Sequence, residues 1–465
     1  MMRIIYSFKK YKNIAISYIL FELIYFFDLL DVTSKLFDRI NSNKLKFDFV
    51  RYKIFKKIDV KETVLVLDRV VYVVSANRKI DILPLQSQGV VGFQVNSVYK
   101  DFDQKNIKIE ARITSESLVV GHDAHPKGSF QERSSMDLHG YTVEHVRIIG
   151  NLQVVKGNEL LVFDSHHDPE NQAIGSQFVP VSIDNFKTVL CKVSDKKTTH
   201  LCDGILLTSK ASANFFHFIY EDLSRFMQLE EMLKNDKLPV YVVNDMPVQH
   251  YQALRGLIDF NRVILIDRNT PYAMDKLYGA QIPVNLSEDI QLKGEARFSL
   301  CPEHILYMRN KLLEANQERD LIEKKFPKRI YLKRKSRHVT NHYELAQLLK
   351  KYDIVPTDTA KLSFKEQVNL FTNADLILGA AGAGLSNIIF CKPETQIIVL
   401  NSDRHHDNCV FSTLAYISKL RYNMVLGPPL YKQDCMMDFV VGPMFSYMSP
   451  FSINIKELEK LLKVS

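Results

Sequence analysis

His217 and Glu221 stand four residues apart in "SANFFHFIYEDLSRF" and share a face if that stretch is helical. A carboxylate beside an imidazole fixes its tautomer and raises its basicity, which suits a general base. The same spacing suits a buried helix in which the two side chains only satisfy each other, so both readings stand. Asp222 and Arg225 add polar positions to the same stretch. A second set of residues lies in "ADLILGAAGAGLSNIIF", where an apolar run ends at Gly379 and small residues follow. Gly382, Ala383, Gly384, Leu385, Ser386 and Asn387 then read as a glycine turn feeding a helix. The N–H groups of a helix start, with the positive end of its dipole, suit a nucleotide diphosphate. A tight strand–helix packing turn has the same sequence signature. The third set is Arg334 and Arg337 in "RIYLKRKSRHVTNHYEL", at or just past the end of an apolar strand, where guanidinium groups can grip phosphate oxygens.

Two spacings read first as helix caps. Asn341 with Glu344, and Ser363 with Glu366, match the capping-box pattern. For Glu366, contact with a nucleotide's ribose competes with capping. His166, His167 and Asp168, and again His405, His406 and Asp407, are polar clusters whose default reading is a solvent-facing loop rather than a metal site. The second follows the last apolar strand and could reach a ligand bound at the strand ends. His122 and His125 read as a surface loop. Six scattered cysteines form no CxxC pair, so neither a zinc site nor a disulfide framework is expected, and a reducing cytoplasm suits them. No Walker lysine motif and no strict dinucleotide fingerprint is present.

The elements that must carry these residues follow from apolar runs alternating with helical periods, the pattern of βαβ units. Strands are expected at 204–208, 238–243 and 262–267, with helices at 214–231 and 247–259. A bridging helix is expected over 301–317. Strands at 329–334, 352–356, 374–379 and 395–401 then alternate with helices at 341–351, 363–373 and 384–390. The expected fold class is α/β, with two Rossmann-like lobes facing a cleft and an N-terminal helical and β-rich extension. The expected division is a basic helical segment over 1–60, a β-rich region over 61–202, a first Rossmann-like lobe over 203–300 and a second, nucleotide-binding one over 301–465. In such sheets ligands bind beyond the carboxyl ends of the strands.

The 465 residues suit two or three domains, and the 46% hydrophobic and 25% charged fractions are those of a folded protein. The net charge of +8 is concentrated at the start, where residues 1–60 hold twelve basic against six acidic residues. A basic end suits an anionic membrane surface or substrate, and equally a solvated face. Nucleic-acid binding is not expected, since no basic–aromatic motif of a known kind is present. Residues 13–30 are apolar, but Glu22 and Asp28 interrupt them, which points to an interfacial helix or a core helix rather than a span.

Taken together, "NFFHF…E…R", "RIYLKR…N…EL", "LSFKEQ" and "GAAGAGLSN…F", in that order, resemble glycosyltransferase family 61 over about 204–400. The family includes bacterial capsule and lipopolysaccharide enzymes, plant xylan transferases and a mammalian N-acetylglucosaminyltransferase. The resemblance implies a GT-B fold, inversion at the anomeric carbon and no obligatory metal. It implies a nucleotide-sugar substrate, a UDP-sugar first among them, with no cofactor. A glycan or lipid-linked glycan would be the acceptor, with 203–300 the acceptor-side lobe and 301–465 the donor-nucleotide-binding lobe. His217 and Glu221 would be catalytic, and Arg334, Arg337, Glu366 and residues 382–387 would bind the donor. One departure stands out: the histidine that precedes Gly-Ala-Gly in the family is Ala381 here. The expected location is the cytoplasm, peripheral on the inner membrane through residues 1–40, or the Golgi in a eukaryote.

Overall fold

The computed structural model describes residues 196–463 apart from 269, 287–297, 317–325, 335–336, 406–408 and 431–448. Ahead of these it describes strand segments, with short adjoining turns, between 52 and 192. The expected helix at 13–30, the membrane contact through 1–40, the clusters at 122–125 and 166–168, and His406 with Asp407 lie outside the described residues. Two compact units emerge, Met1–Val90 with Pro429–Ser449, and Val91–Pro428 with Pro450–Ser465. In the first, Tyr52–Lys53, Glu62–Leu67, Val70–Ser75 and Ile80–Ile82 form a four-stranded antiparallel sheet. The second unit carries every candidate residue.

The elements that position the site include the long strand β1 (Met136–Ile149) and, further along the chain, β2 (Gly204–Leu206). A continuous helical run over residues 215–234 ends in α1 (Phe226–Lys234). Then come β3 (Val240–Val243), α2 (Val248–Arg255), β4 (Val263–Ile266) and β5 (Tyr272–Ala280). Strands β2, β3 and β4 run parallel, and β5 joins β2 in parallel on the other side. β5 also pairs antiparallel with β1 over eight residue pairs. The parallel block is therefore one part of a mixed twelve-stranded sheet that crosses the boundary expected between 202 and 203.

Helix α3 (Pro302–Asn316) leads to the second parallel series: β6 (Arg329–Leu332), α4 (His342–Lys351), β7 (Val355–Thr357), α5 (Phe364–Asn373) and β8 (Leu376–Ala380). A 3-10 helix, Ala383–Phe390, follows, then β9 (Gln396–Ser402), α6 (Val410–Ile417), β10 (Arg421–Gly427) and α7 (Ile455–Lys463). All five strands are parallel, in the order β7-β6-β8-β9-β10.

Alternation along these strands explains the layering. Leu376, Leu378, Ile398 and Leu400 pack with Leu345, Leu348, Leu458 and Leu462 on the α4 and α7 face. Ile377, Ile397 and Val399 face the other way, toward Phe364, Ile388 and Leu414. That second core is continuous with Val240, Val242, Leu207 and Phe218 from the other sheet's side of the unit. The fold is thus mixed α/β with parallel strands, compatible with a Rossmann-like glycosyltransferase.

The expected elements are present with shifted ends, and three details differ. The helix expected over 214–231 contains a π turn at Phe218–Asp222 and a 3-10 turn at Leu223–Arg225. The helix expected at 384–390 is a 3-10 helix. Asn341 does not cap α4 with its side chain: Nδ2 donates to the Ile453 carbonyl at 3.0 Å and Oδ1 accepts from the Ile453 N–H at 3.0 Å. A tertiary backbone partner has replaced the local one, and the bond ties the C-terminal segment to the start of α4.

Candidate active site

The second parallel sheet reverses its strand order between β6 and β8, since β7 lies outside β6 and β9 lies outside β8. In an open parallel sheet the loops on either side of such a reversal diverge and leave a crevice at the carboxyl ends. Arg334 follows β6 and Gly382 follows β8, so both stand at that crevice. They touch. A Cβ placed on Gly382 would fall 1.6 Å from Nη1 of Arg334. The backbone of Gly382 is extended, with φ 166°, so the glycine serves the close approach of the guanidinium rather than a left-handed turn. At Gly384 an added Cβ would meet Thr359 Oγ1 at 3.5 Å, an ordinary contact.

Arg334 is half-buried, and its Nη1 has no hydrogen-bond partner among the described residues. Burial pushes its pKa down to about 9, and the neighbouring Arg337 charge pushes the same way. A desolvated cation beside a like charge stabilises an incoming anion, because the anion relieves both costs. Arg337 itself sits in the left-handed region at φ 49°. Of the turn residues, Gly382, Ala383 and Gly384 are partly accessible, while Leu385, Ser386 and Asn387 are buried. Asn387 Nδ2 donates to Gln367 Oε1 at 3.1 Å, and Gln367 Nε2 donates to the Thr359 carbonyl at 3.0 Å. These bonds pin the turn to the loop before α5. Glu366 caps that helix: its carboxylate accepts from the Ser363 N–H at 2.9 Å, and Ser363 Oγ accepts from the Glu366 N–H. The capping reading of Glu366 describes its contacts.

On the other sheet's side, His217 Nδ1 and Glu221 Oε1 are 2.7 Å apart, with side-chain exposures of 25% and 13%. The ionised carboxylate can only accept, so Nδ1–H donates to it, which leaves the remaining ring lone pair on Nε2. The π turn that holds Glu221 recurs at functional sites in helices generally. A buried frame holds the pair. Asp222 bridges to Arg225 at 3.1 Å and accepts from Ser212 Oγ, and Arg225 also donates to the Leu207 carbonyl. Burial raises the Asp222 carboxyl to about 7, against the lowering effects of Arg225 and Ser212. His250 stacks on Phe218 with ring centroids 4.4 Å apart, and burial lowers it to about 4.

Tyr220 connects the two halves of the site. It lies three residues after His217, and its hydroxyl donates to the Ser386 carbonyl at 2.6 Å, two residues past Gly384. Its absence from the sequence-derived residues has a visible remedy, since i, i+3 spacing from His217 puts it on the neighbouring helix surface. Across the same junction Gln252 accepts from the Phe364 N–H at 2.8 Å, and Arg309 donates to the Ile389 carbonyl at 2.6 Å. His405 is buried at the end of β9.

Residues 215–398, from the start of the His217 helix into β9, match the family described as Glycosyltransferase 61. The chain carries a glycosyltransferase family 61 domain. A search of curated proteins found no match. The matched glycosyltransferase segment contains the His217–Glu221 pair, the two arginines and the glycine turn, so the residues that the fold gathers are the ones the family match spans. Among the described residues no group of three histidine, cysteine or acidic side chains is arranged to hold a metal ion, and no helix is long and apolar enough to cross a membrane.

Proposed function

We propose that this glycosyltransferase is an inverting, metal-independent enzyme that moves a sugar from a nucleotide-diphosphate donor, a UDP-sugar, to a glycan acceptor in surface polysaccharide synthesis. The observation that carries this reading is the guanidinium of Arg334 packed on Gly382 at the strand-order reversal, its Nη1 buried and without a hydrogen-bond partner among the described residues. In a GT-B-like arrangement the parallel block containing β2–β4 serves the acceptor and the β6–β10 sheet serves the donor. The acceptor hydroxyl oxygen attacks the anomeric carbon as the bond to the diphosphate breaks, and His217 takes the hydroxyl proton through Nε2. Glu221 holds the imidazole by its Nδ1 proton and stabilises the imidazolium that forms. Arg334, with Arg337 and the N–H groups beyond Gly382, meets the charge on the departing diphosphate.

Ala381, where the family has histidine, favours one other reading, a member that binds the nucleotide sugar without turnover. A panel of nucleotide sugars separates the two. The transferase reading expects thermal stabilisation by a nucleoside diphosphate and acceptor-dependent release of it from the donor. Stabilisation without release under any acceptor mixture supports the binding-only reading, and no stabilisation by any nucleotide counts against both.

A further inference from the structure

Resting on the donor-sheet reading above, we propose that the carboxyl end of β9 holds an acidic group of the transferred sugar, a carboxylate, between Asn401 and Arg404. Neither residue has a role in the mechanism so far. The Ala381 N–H donates to the Leu400 carbonyl at 3.0 Å, so Asn401 starts where β9 leaves the glycine turn's strand. Strand alternation puts Asn401 on the face of Ile397 and Val399. That face is the one covered by the 3-10 helix after Gly382 and by α6. The Asn401 side chain is 2% exposed. Its Oδ1 accepts from the Ser402 N–H at 3.1 Å, whereas its Nδ2 has no partner among the described residues. Arg404 follows three residues later, and its Nη1 is likewise buried and unpartnered among them.

A buried polar atom left without a partner is costly, and two on one short segment beside a ligand crevice call for a ligand group. Both of these atoms donate. A sugar hydroxyl or the edge of a pyrimidine brings a donor of its own, which two donors match less well than a group that only accepts. A carboxylate is acceptor-only and matches a guanidinium and an amide N–H together. The diphosphate is not the group that remains, because Arg334 and Arg337 stand on the opposite side of the glycine turn, after β6.

Calorimetry on the full chain with UDP-glucuronate, UDP-glucose and UDP tests the proposal. The wild-type protein is expected to bind the acidic donor at least tenfold more tightly than the neutral one. That ratio should fall toward one in Arg404→Gln and below one in Asn401→Asp, which keeps the side-chain size and adds a repelling charge. Equal affinities in the wild type overturn the proposal, as does a ratio that survives both substitutions. A proportional loss of all three ligands in Arg404→Gln assigns the segment to phosphate and also overturns it. If the wild type binds no UDP at all, the donor-sheet reading fails with it. UDP binding without acidic preference defeats only the present inference.

Discussion

His217 and Gly382 allow the sharpest statements about single residues. If Nε2 takes the acceptor proton, His217→Ala lowers kcat by about 10²- to 10⁴-fold, the usual worth of a positioned base. Nucleotide affinity stays put, because the imidazole lies on the 215–234 helix and not on the donor sheet. Turnover near that of the wild type would remove His217 from the mechanism. Gly382→Ala is a steric probe of the other half. The new methyl would overlap Nη1 of Arg334 and force the guanidinium away. The expected result is a loss of UDP affinity on the order of tenfold, about 1.4 kcal/mol, in a protein that still folds. Gly384→Ala meets only an ordinary contact with Thr359 and serves as the control. Both glycines are visible in the sequence. That one of them is needed for a guanidinium and the other is not depends on a contact between loops some fifty residues apart, which local pattern does not carry.

At the level of elements, the strands β3, β8 and β9 are legible because each carries a run of apolar residues and is buried on both faces. β5 escapes the same reading because its burial alternates irregularly and Asp275 and Lys276 stand exposed in its middle. β10 opens on exposed Arg421, with Tyr422 and Asn423 only partly buried, and hides its apolar half. The π turn has no sequence signature of its own, although the pairing of His217, just before it, with Glu221 inside it does. Helix α3 was legible as a helix, but the cost of His304 within it was not. His304 is fully buried, and neither ring nitrogen has a partner among the described residues. Burial lowers it to about 4, partly offset by Glu303. A histidine whose folded pKa is depressed contributes full stability above about pH 6.5 and loses it as pH falls through 4. His304→Leu removes that proton-linked loss. The variant's stability relative to the wild type should therefore grow as pH falls from 7 to 4, by on the order of 3 kcal/mol. A constant difference in denaturant midpoints across that range would show that His304 is not buried neutral.

Across the larger unit, one hydrophobic core runs from β3 and the 215–234 helix into the α5 face of the β6–β10 sheet. Polar bonds cross the same junction, and the Tyr220 hydroxyl on the Ser386 carbonyl is the one nearest the chemistry. Tyr220→Phe keeps the ring and leaves that buried carbonyl without its donor, at a cost of about 1–3 kcal/mol in urea unfolding. Because the bond joins the His217 helix to the glycine turn, kcat should fall more than nucleotide affinity does. An unchanged kcat with the same stability loss would make the tyrosine a packing residue only. The two α/β series were legible from alternating apolar runs. The merging of β2–β5 with β1 was not, since an antiparallel pairing between strands more than a hundred residues apart leaves no periodic trace.

The central claim is that a nucleoside diphosphate sits where β6 and β8 part. Calorimetric titration of UDP into the wild-type chain and into Arg334→Ala tests it most directly. The account predicts saturable binding to the wild type and at least a tenfold weaker affinity in the variant, since Nη1 of Arg334 is buried there without a hydrogen-bond partner among the described residues. No binding to the wild type, or equal affinity in both proteins, would contradict it.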